Sequence, residues 1–428
     1  MATVHWHIRR TLQLPSILLL ALVLALGGCG KDAPEAPPQE AVVTDSAGVT
    51  QTVFPAGLPR EGARLTEPEI LIGENEEAPG HQLHAAAGPV ELSDGRLVLV
   101  DPRSGEVRLF DADGVLQTRA GGLGEGPGEF RAAGPPIRTA GDSIGVPDLG
   151  MSLLLFGPDG SFGRRITPSP QADEAPTPQI VGLLDNRRLV TVMRARADEG
   201  PDGLIRDTVR VALFDSEGAP LTVLGEFEGR ERLAEAPILE GAILRGAVAF
   251  PRPVRVSAVG SAVAVGLTDR FEVRYFDADG ALEGTIRVEG HTTPVTDEVM
   301  ETFLDHQTGV MQIQSGTGES RPLTESEGRA YRELVESLPR VPSLPHFDRL
   351  LLGASGGMWI RDYVPPYEEA EWTLWWEFSP RGELLRTVEL PAGFHLRLAA
   401  DDYLLGILPD ALDVQRVVRY ELPERSDR

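Results

Sequence analysis

Among its 428 residues the chain has a single cysteine, Cys29, and a single lysine, Lys31. One cysteine excludes an intrachain disulfide, an all-cysteine zinc site and an iron–sulfur cluster. A lone lysine at position 31, outside any glycine-rich loop, excludes a Walker phosphate loop. Basic residues of every kind are in deficit, 40 against 65 acidic ones, for a formal charge of −25. A field of that sign excludes a general affinity for nucleic acid or anionic lipid headgroups. Long apolar runs are scarce too: the one in residues 17–26 falls short of the roughly 20 residues that a permanent membrane helix needs. Glycine and proline, by contrast, are plentiful at 47 and 35, and point to many tight turns.

The apolar run follows Arg9 and Arg10 and ends in Gly27 and Gly28, directly before Cys29, which is the layout of a secretory leader over residues 1–28. Leu26-Gly27-Gly28-Cys29 resembles the bacterial lipobox. That resemblance implies lipid attachment at Cys29, cleavage before it and acylation of the new terminus; the plain alternative is a free buried thiol. Gly30, rather than aspartate, follows the cysteine, which favours the outer membrane, facing the periplasm or the cell surface. Residues 29–41, with Pro34, Pro37 and Pro38 among alanines and glutamates, read as a semi-extended tether.

The rest of the chain repeats. An aromatic residue closes an alternating run and an Asp/Gly turn follows at Phe110-Asp111-Ala112-Asp113-Gly114, Phe156-Gly157-Pro158-Asp159-Gly160, Phe214-Asp215-Ser216-Glu217-Gly218, Phe276-Asp277-Ala278-Asp279-Gly280 and Phe378-Ser379-Pro380-Arg381-Gly382. A terminal glycine suits a turn with positive φ. A second turn precedes each, at Asp94-Gly95, Gly141-Asp142, Asp185-Asn186, Gly260-Ser261, Gly356-Gly357 and, once more, Asp401-Asp402. After the strand that follows comes an aspartate in five cases: Asp101, Asp148, Asp269, Asp362 and Asp410. Each unit therefore reads as four antiparallel strands, a propeller blade, and there are six. The sixth unit ends on its third strand, near Tyr420. The segment Asp45-Ser46-Ala47-Gly48-Val49-Thr50-Gln51-Thr52-Val53 matches Asp111 to Arg119 in phase and is expected to supply the missing strand. The predicted fold is all-β: a six-bladed β-propeller over residues 42–428 with an N-terminal strand closing the last blade.

Leu97-Val98-Leu99-Val100-Asp101, Val107-Arg108-Leu109-Phe110-Asp111 and Gly124-Glu125-Gly126-Pro127-Gly128-Glu129-Phe130 resemble NHL-type repeats and the six-bladed propeller lipoproteins of bacteria, in the NHL/TolB-like superfamily. The resemblance implies an envelope protein and brings no catalytic set onto this chain.

Two stretches depart from the repeat. Residues at about 293–340 read as a small helical insertion between blades four and five: Val299, Met300, Phe303 and Leu304 form an apolar stripe, and Thr324 with Glu327 forms a capping box. The insertion could cover the channel mouth or simply decorate the rim, and its centre, 314–322, reads as a polar loop. Blade five gathers Trp359, Trp372, Trp375 and Trp376; alternation puts Trp372, Leu374, Trp376 and Phe378 on one face and Trp375 on the other. The long hairpin that follows Asp362, with Tyr363, Tyr367, Glu368 and Glu369, is the candidate ligand contact, since aromatics beside carboxylates suit a sugar or peptide.

The repeated aspartates could cap turns or could converge on a channel metal. His81 and His84 read as a solvated loop, and His291, His306, His346 and His395 are scattered. The expectation is a lipid-anchored binding or scaffold module for a peptide, glycan or partner protein, attached to a membrane through Cys29, with no catalytic residues and no cofactor. The alternative is a lactonase-like hydrolase or lyase with channel carboxylates holding calcium.

Overall fold

A computed structural model describes residues 41–425 except positions 76, 84, 171–175, 196, 198, 201–202, 234–237, 240–241, 244–247 and 315–319. The leader, Cys29 and nearly all of the tether lie outside the described residues, as does His84.

Six antiparallel sheets succeed one another along the chain. Blade one is Ala87–Glu91, Leu97–Asp101, Glu106–Phe110 and Leu116–Gly121. Blade two is Ile137–Arg138, Ile144–Asp148, Ser152–Phe156 and Phe162–Ile166, and blade three is Gln179–Leu183, Leu189–Ala195, Leu204–Phe214 and Pro220–Leu233. Val254–Val259, Ala262–Leu267, Glu272–Asp277 and Leu282–Val288 form blade four; Phe347–Leu352, Met358–Asp362, Trp372–Phe378 and Leu384–Pro391 form blade five. Blade six has three consecutive strands, His395–Ala399, Tyr403–Pro409 and Gln415–Glu421. The predicted turns sit where the repeat puts them, and Gly114, Gly160, Gly218, Gly280 and Gly382 all have φ between 77° and 92°.

An N-terminal strand does close blade six, but it is Glu69–Ile72, antiparallel to Gln415–Glu421, rather than the segment at 45–53. That segment forms a hairpin, Val42–Ser46 with Val49–Phe54, whose second strand lies parallel to the outer strand of blade four. Ala63–Arg64 then pairs with the outer strand of blade five. The sequence match identified the right kind of strand, an outer one beginning at an Asp/Gly turn in which Gly48 N donates to Asp45 Oδ1 at 3.2 Å. It could not identify the blade. The N-terminal segment thus runs along the outside of blades four and five before entering six, and latches three blades.

Each pair of neighbouring blades encloses one apolar cluster. Ile72, Leu405 and Val417 meet Leu97, Leu99 and Phe110 between blades six and one. The other five interfaces are filled alike, so the ring closes through packing as well as through the strand latch. The tryptophans of blade five divide as alternation predicts: Trp376 and Phe378 face blade four, and Trp375 faces blade six. Trp372 is half-buried, with the Arg64 guanidinium 5.3 Å from its ring centre.

The insertion contains helices α1 (Asp297–Val310) and α2 (Glu325–Ser337). The capping box of α2 is present, with Thr324 and Glu327 exchanging bonds. Arg321 and the Thr324 backbone and hydroxyl donate to the Glu327 carboxylate and hold its pKa far below the ordinary glutamate value. The expected polar loop between the helices contains a short strand pair, Gln312–Gln314 with Ser320–Pro322. Met300, Leu304, Tyr331 and Val335 bury against Leu204, Val248 and Phe250. None of the helices among the described residues is long and apolar enough to cross a membrane.

Candidate functional site

Strand direction alternates within a blade, so the start of each innermost strand, the turn between second and third strands and the crossing between blades all lie on one face of the ring. The irregular parts of this chain collect on that face. The helices occupy the crossing from blade four to blade five, the Tyr363 hairpin joins the second and third strands of blade five, and blade three extends its last two strands to 11 and 14 residues.

The axis of the ring is open. A cavity of about 720 Å³ touches the innermost strands of all six blades, among them Val90, Ile137, Val181, Val256, Leu351 and Leu398. It shares Val90, Pro136, Leu350 and Arg397 with a second cavity of about 420 Å³ at the loop-rich end, which adds Arg349, Arg361 and His395. Beside it, between blades three, four and five, lies a third of about 690 Å³ that includes Arg194, Arg230, Arg255, Asp348 and Tyr363.

Near the start of their innermost strands, blades four, five and six carry Arg255, Arg349 and Arg397. The Arg255 guanidinium is held below its ordinary pKa by burial and by the neighbouring Arg349, and Arg397 by the same two causes. Burial, then Arg397, Arg349 and Arg361, lowers the His395 imidazole. Arg397 and His395 stand between channel walls while water still reaches them. Of Arg255, Arg349, Arg361 and Arg397 only Arg361 has a carboxylate among the described residues: its Nε and Nη2 donate to Asp348 at 2.7 and 2.6 Å.

The residues expected to contact a ligand occupy a neighbouring part of the same face. The Asp362 carboxylate accepts from Arg60 at 3.1 Å and from the Tyr363 amide, and lies 3.0 Å from His291 Nε2. Tyr363 and Tyr367 both pack on the apolar cluster beneath the helices, and the Tyr367 ring meets Phe250 edge-on at 6.2 Å. Burial raises the Tyr363 hydroxyl pKa, and its side chain borders the 690 Å³ cavity. Glu368 is exposed, with its backbone N–H bonded to Pro365 O. The helices therefore rest on the hairpin.

Besides Asp362, the recurring aspartates are engaged by groups close to them in the chain. Asp101 accepts from the Arg103 amide and from Arg108, Asp410 from the amides of Leu412 and Val414, and fully buried Asp148 from the amides of Arg131 and Ala132 and from Arg165. Asp269 pairs with Arg270. Among the described residues no three His, Cys, Asp or Glu side chains stand where they could hold a metal. The five aspartates thus do not fit the calcium that a lactonase-like reading requires. His81 is no solvated loop residue: its Nδ1 accepts from Gly73 N at 3.1 Å and its Nε2 donates to Gly114 O at 2.8 Å, tying the closing strand to blade one.

The arrangement defines a class, the six-bladed β-propeller, here with arginines gathered at one end of its axial channel. No family model matches the chain, and neither does any curated protein. Among solved structures it is similar to a Bacteroides fragilis protein described as exported, with 13% identity, a TM-score of 0.46, and coverage of 87% of this chain and 99% of that one. A DUF4221 family member from Bacteroides vulgatus gives 9% identity and a TM-score of 0.40 over 85% and 100% of the two chains. A gluconolactonase of Xanthomonas campestris gives 12% and 0.38 over 86% and 98%.

Proposed function

We propose that this chain is an exported, lipid-anchored envelope protein that holds its ligand in the axial channel of the propeller, at the loop-rich end. The leader-like segment and Cys29 support export and anchoring, in keeping with the NHL/TolB-like propeller lipoproteins that the repeats resemble. One observation carries the binding role: a continuous channel opens among unpaired cationic side chains on the face where every enlarged element gathers. Tyr363, bordering the adjoining cavity, is a further contact for a glycan or peptide, and Tyr367, Asp362 and Glu368 keep the hairpin in place beside it. The outer membrane is the proposed site of attachment.

Thermal unfolding of the full chain in detergent, screened against glycans, peptides, organic acids and lactones with and without calcium, tests this reading. A ligand that raises the melting temperature of the native chain but not of Ala392→Trp, which fills the channel mouth, is the expected result. Calcium-dependent lactone cleavage, or binding indifferent to Ala392→Trp, would overturn it.

A further inference from the structure

We propose that the channel mouth binds a small molecule carrying two or more acidic groups, carboxylate or phosphate, on Arg349 and Arg397, with Arg255 of the adjoining 690 Å³ cavity as a third cation beside them. The assignment rests on the reading of the channel as the ligand site and adds the chemistry of the ligand.

Acidic side chains outnumber basic ones 65 to 40, so an arginine without a carboxylate is unexpected here. Yet none of these three meets a protein acceptor among the described residues, and Arg255 Nε is buried with no partner. The carboxylates nearby are already taken: Asp348 by Arg361, and Asp207 by Arg232 at 2.7 and 3.1 Å. Guanidiniums stay charged at any physiological pH, so the cluster repels itself until an anion enters. The buried Arg255 Nε is left without an acceptor among the described residues, which adds to the cost of the uncompensated charge.

The fork geometry of arginine suits carboxylate and phosphate oxygens two at a time. Arg349 is within electrostatic reach of both Arg255 and Arg397. Two guanidiniums in the mouth, with Arg255 beside them in the adjoining cavity, exceed what a single negative charge can neutralise, which selects a ligand with at least two. Farther along the axis the walls turn apolar at Val90, Pro136, Leu350 and Leu351, so the acidic groups belong to a molecule with a carbon body. The 420 and 720 Å³ spaces fit a small organic acid or sugar acid rather than a folded partner.

Calorimetric titration of the full chain in detergent with citrate, inorganic phosphate and uncharged triethyl citrate tests the assignment. Citrate is expected to bind one to one, triethyl citrate to give no heat, and Arg349→Gln or Arg397→Gln to weaken citrate by about tenfold. The control Arg164→Gln, which loses only a surface pair with Glu217, leaves affinity unchanged. Phosphate binding more tightly than citrate would assign a phosphorylated ligand, and the reverse a polycarboxylate. Equal binding of triethyl citrate, citrate binding unmoved by both substitutions, or silence from both anions would overturn the proposal. If both anions are silent while a neutral compound binds and Ala392→Trp abolishes it, the channel reading stands and only the anion assignment falls; if no compound of any class responds to Ala392→Trp, both fall.

Discussion

Arginines in the blades and arginines at the channel mouth live in opposite surroundings. In blade five the Glu377 carboxylate, 1% exposed, accepts from Arg386 and from Arg425, while Arg386 also reaches the Pro423 and Asp401 carbonyls. Arg252 pairs with buried Glu231, and Arg274 and Arg287 share Glu272. Arg255, Arg349 and Arg397 make no ion pair among the described residues, and the one carboxylate that acts on Arg255 from farther off, Asp348, is bonded to Arg361. The first group knits strands and the C-terminal segment together, as buried pairs do once formed. The second group makes no such bonds within the chain, and concentrated like charge of that kind is the observation on which the proposed ligand site rests.

Glu377→Ala leaves two guanidiniums without their acceptor and is expected to destabilise the fold by about 3–5 kcal/mol, measured by denaturant unfolding. Gly114→Ala comes next, at about 2–4 kcal/mol. Its φ is 77°, and a methyl there would stand 2.1 Å from the Leu71 carbonyl oxygen on the strand that closes the ring.

Acidification loads a cation where none is paired. His346 is 6% exposed, and burial, then His291 and more weakly Arg252, lower its pKa to about 4 against the pull of Asp269 and Asp362. The unfolded chain takes up this proton near pH 6.5 and the folded chain does not, so stability is complete above that pH and falls as pH drops from about 6.5 to 4. A loss of about 2–3 kcal/mol over that interval is expected in pH-dependent melting, and His346→Leu should flatten it.

The smallest effect has the opposite sign. Arg349→Met or Arg397→Met relieves repulsion at the channel mouth and is expected to stabilise the ligand-free chain by about 0.5–1 kcal/mol while weakening anion binding. A loss of stability would mean that these arginines have structural partners.

The repeat was legible because it is local: aromatic, Asp/Gly turn and alternation each act within a few residues, and so does the Thr324–Glu327 box. Blade assignment of the N-terminal strand was not local. The strands at 49–54 and 69–72 are both short runs rich in β-branched and aliphatic residues, and packing against blade six distinguishes them. The channel arginines lie 94 residues apart between positions 255 and 349 and look in each strand like ordinary solvated positions. Their one sequence signal is register, since each falls second or third in the innermost strand of successive blades. The hairpin tyrosines lie on the same loop-rich face as the channel mouth, but composition alone could not show that their rings support helices.

Arginine-selective labelling with phenylglyoxal, read peptide by peptide in the mass spectrometer with and without citrate, tests the contrast most directly. The account predicts that Arg349 and Arg397 react first and are protected by citrate, while Arg386 and Arg252 stay unmodified in the folded chain. Equal reactivity of paired and channel arginines, or no protection by the anion, would contradict it.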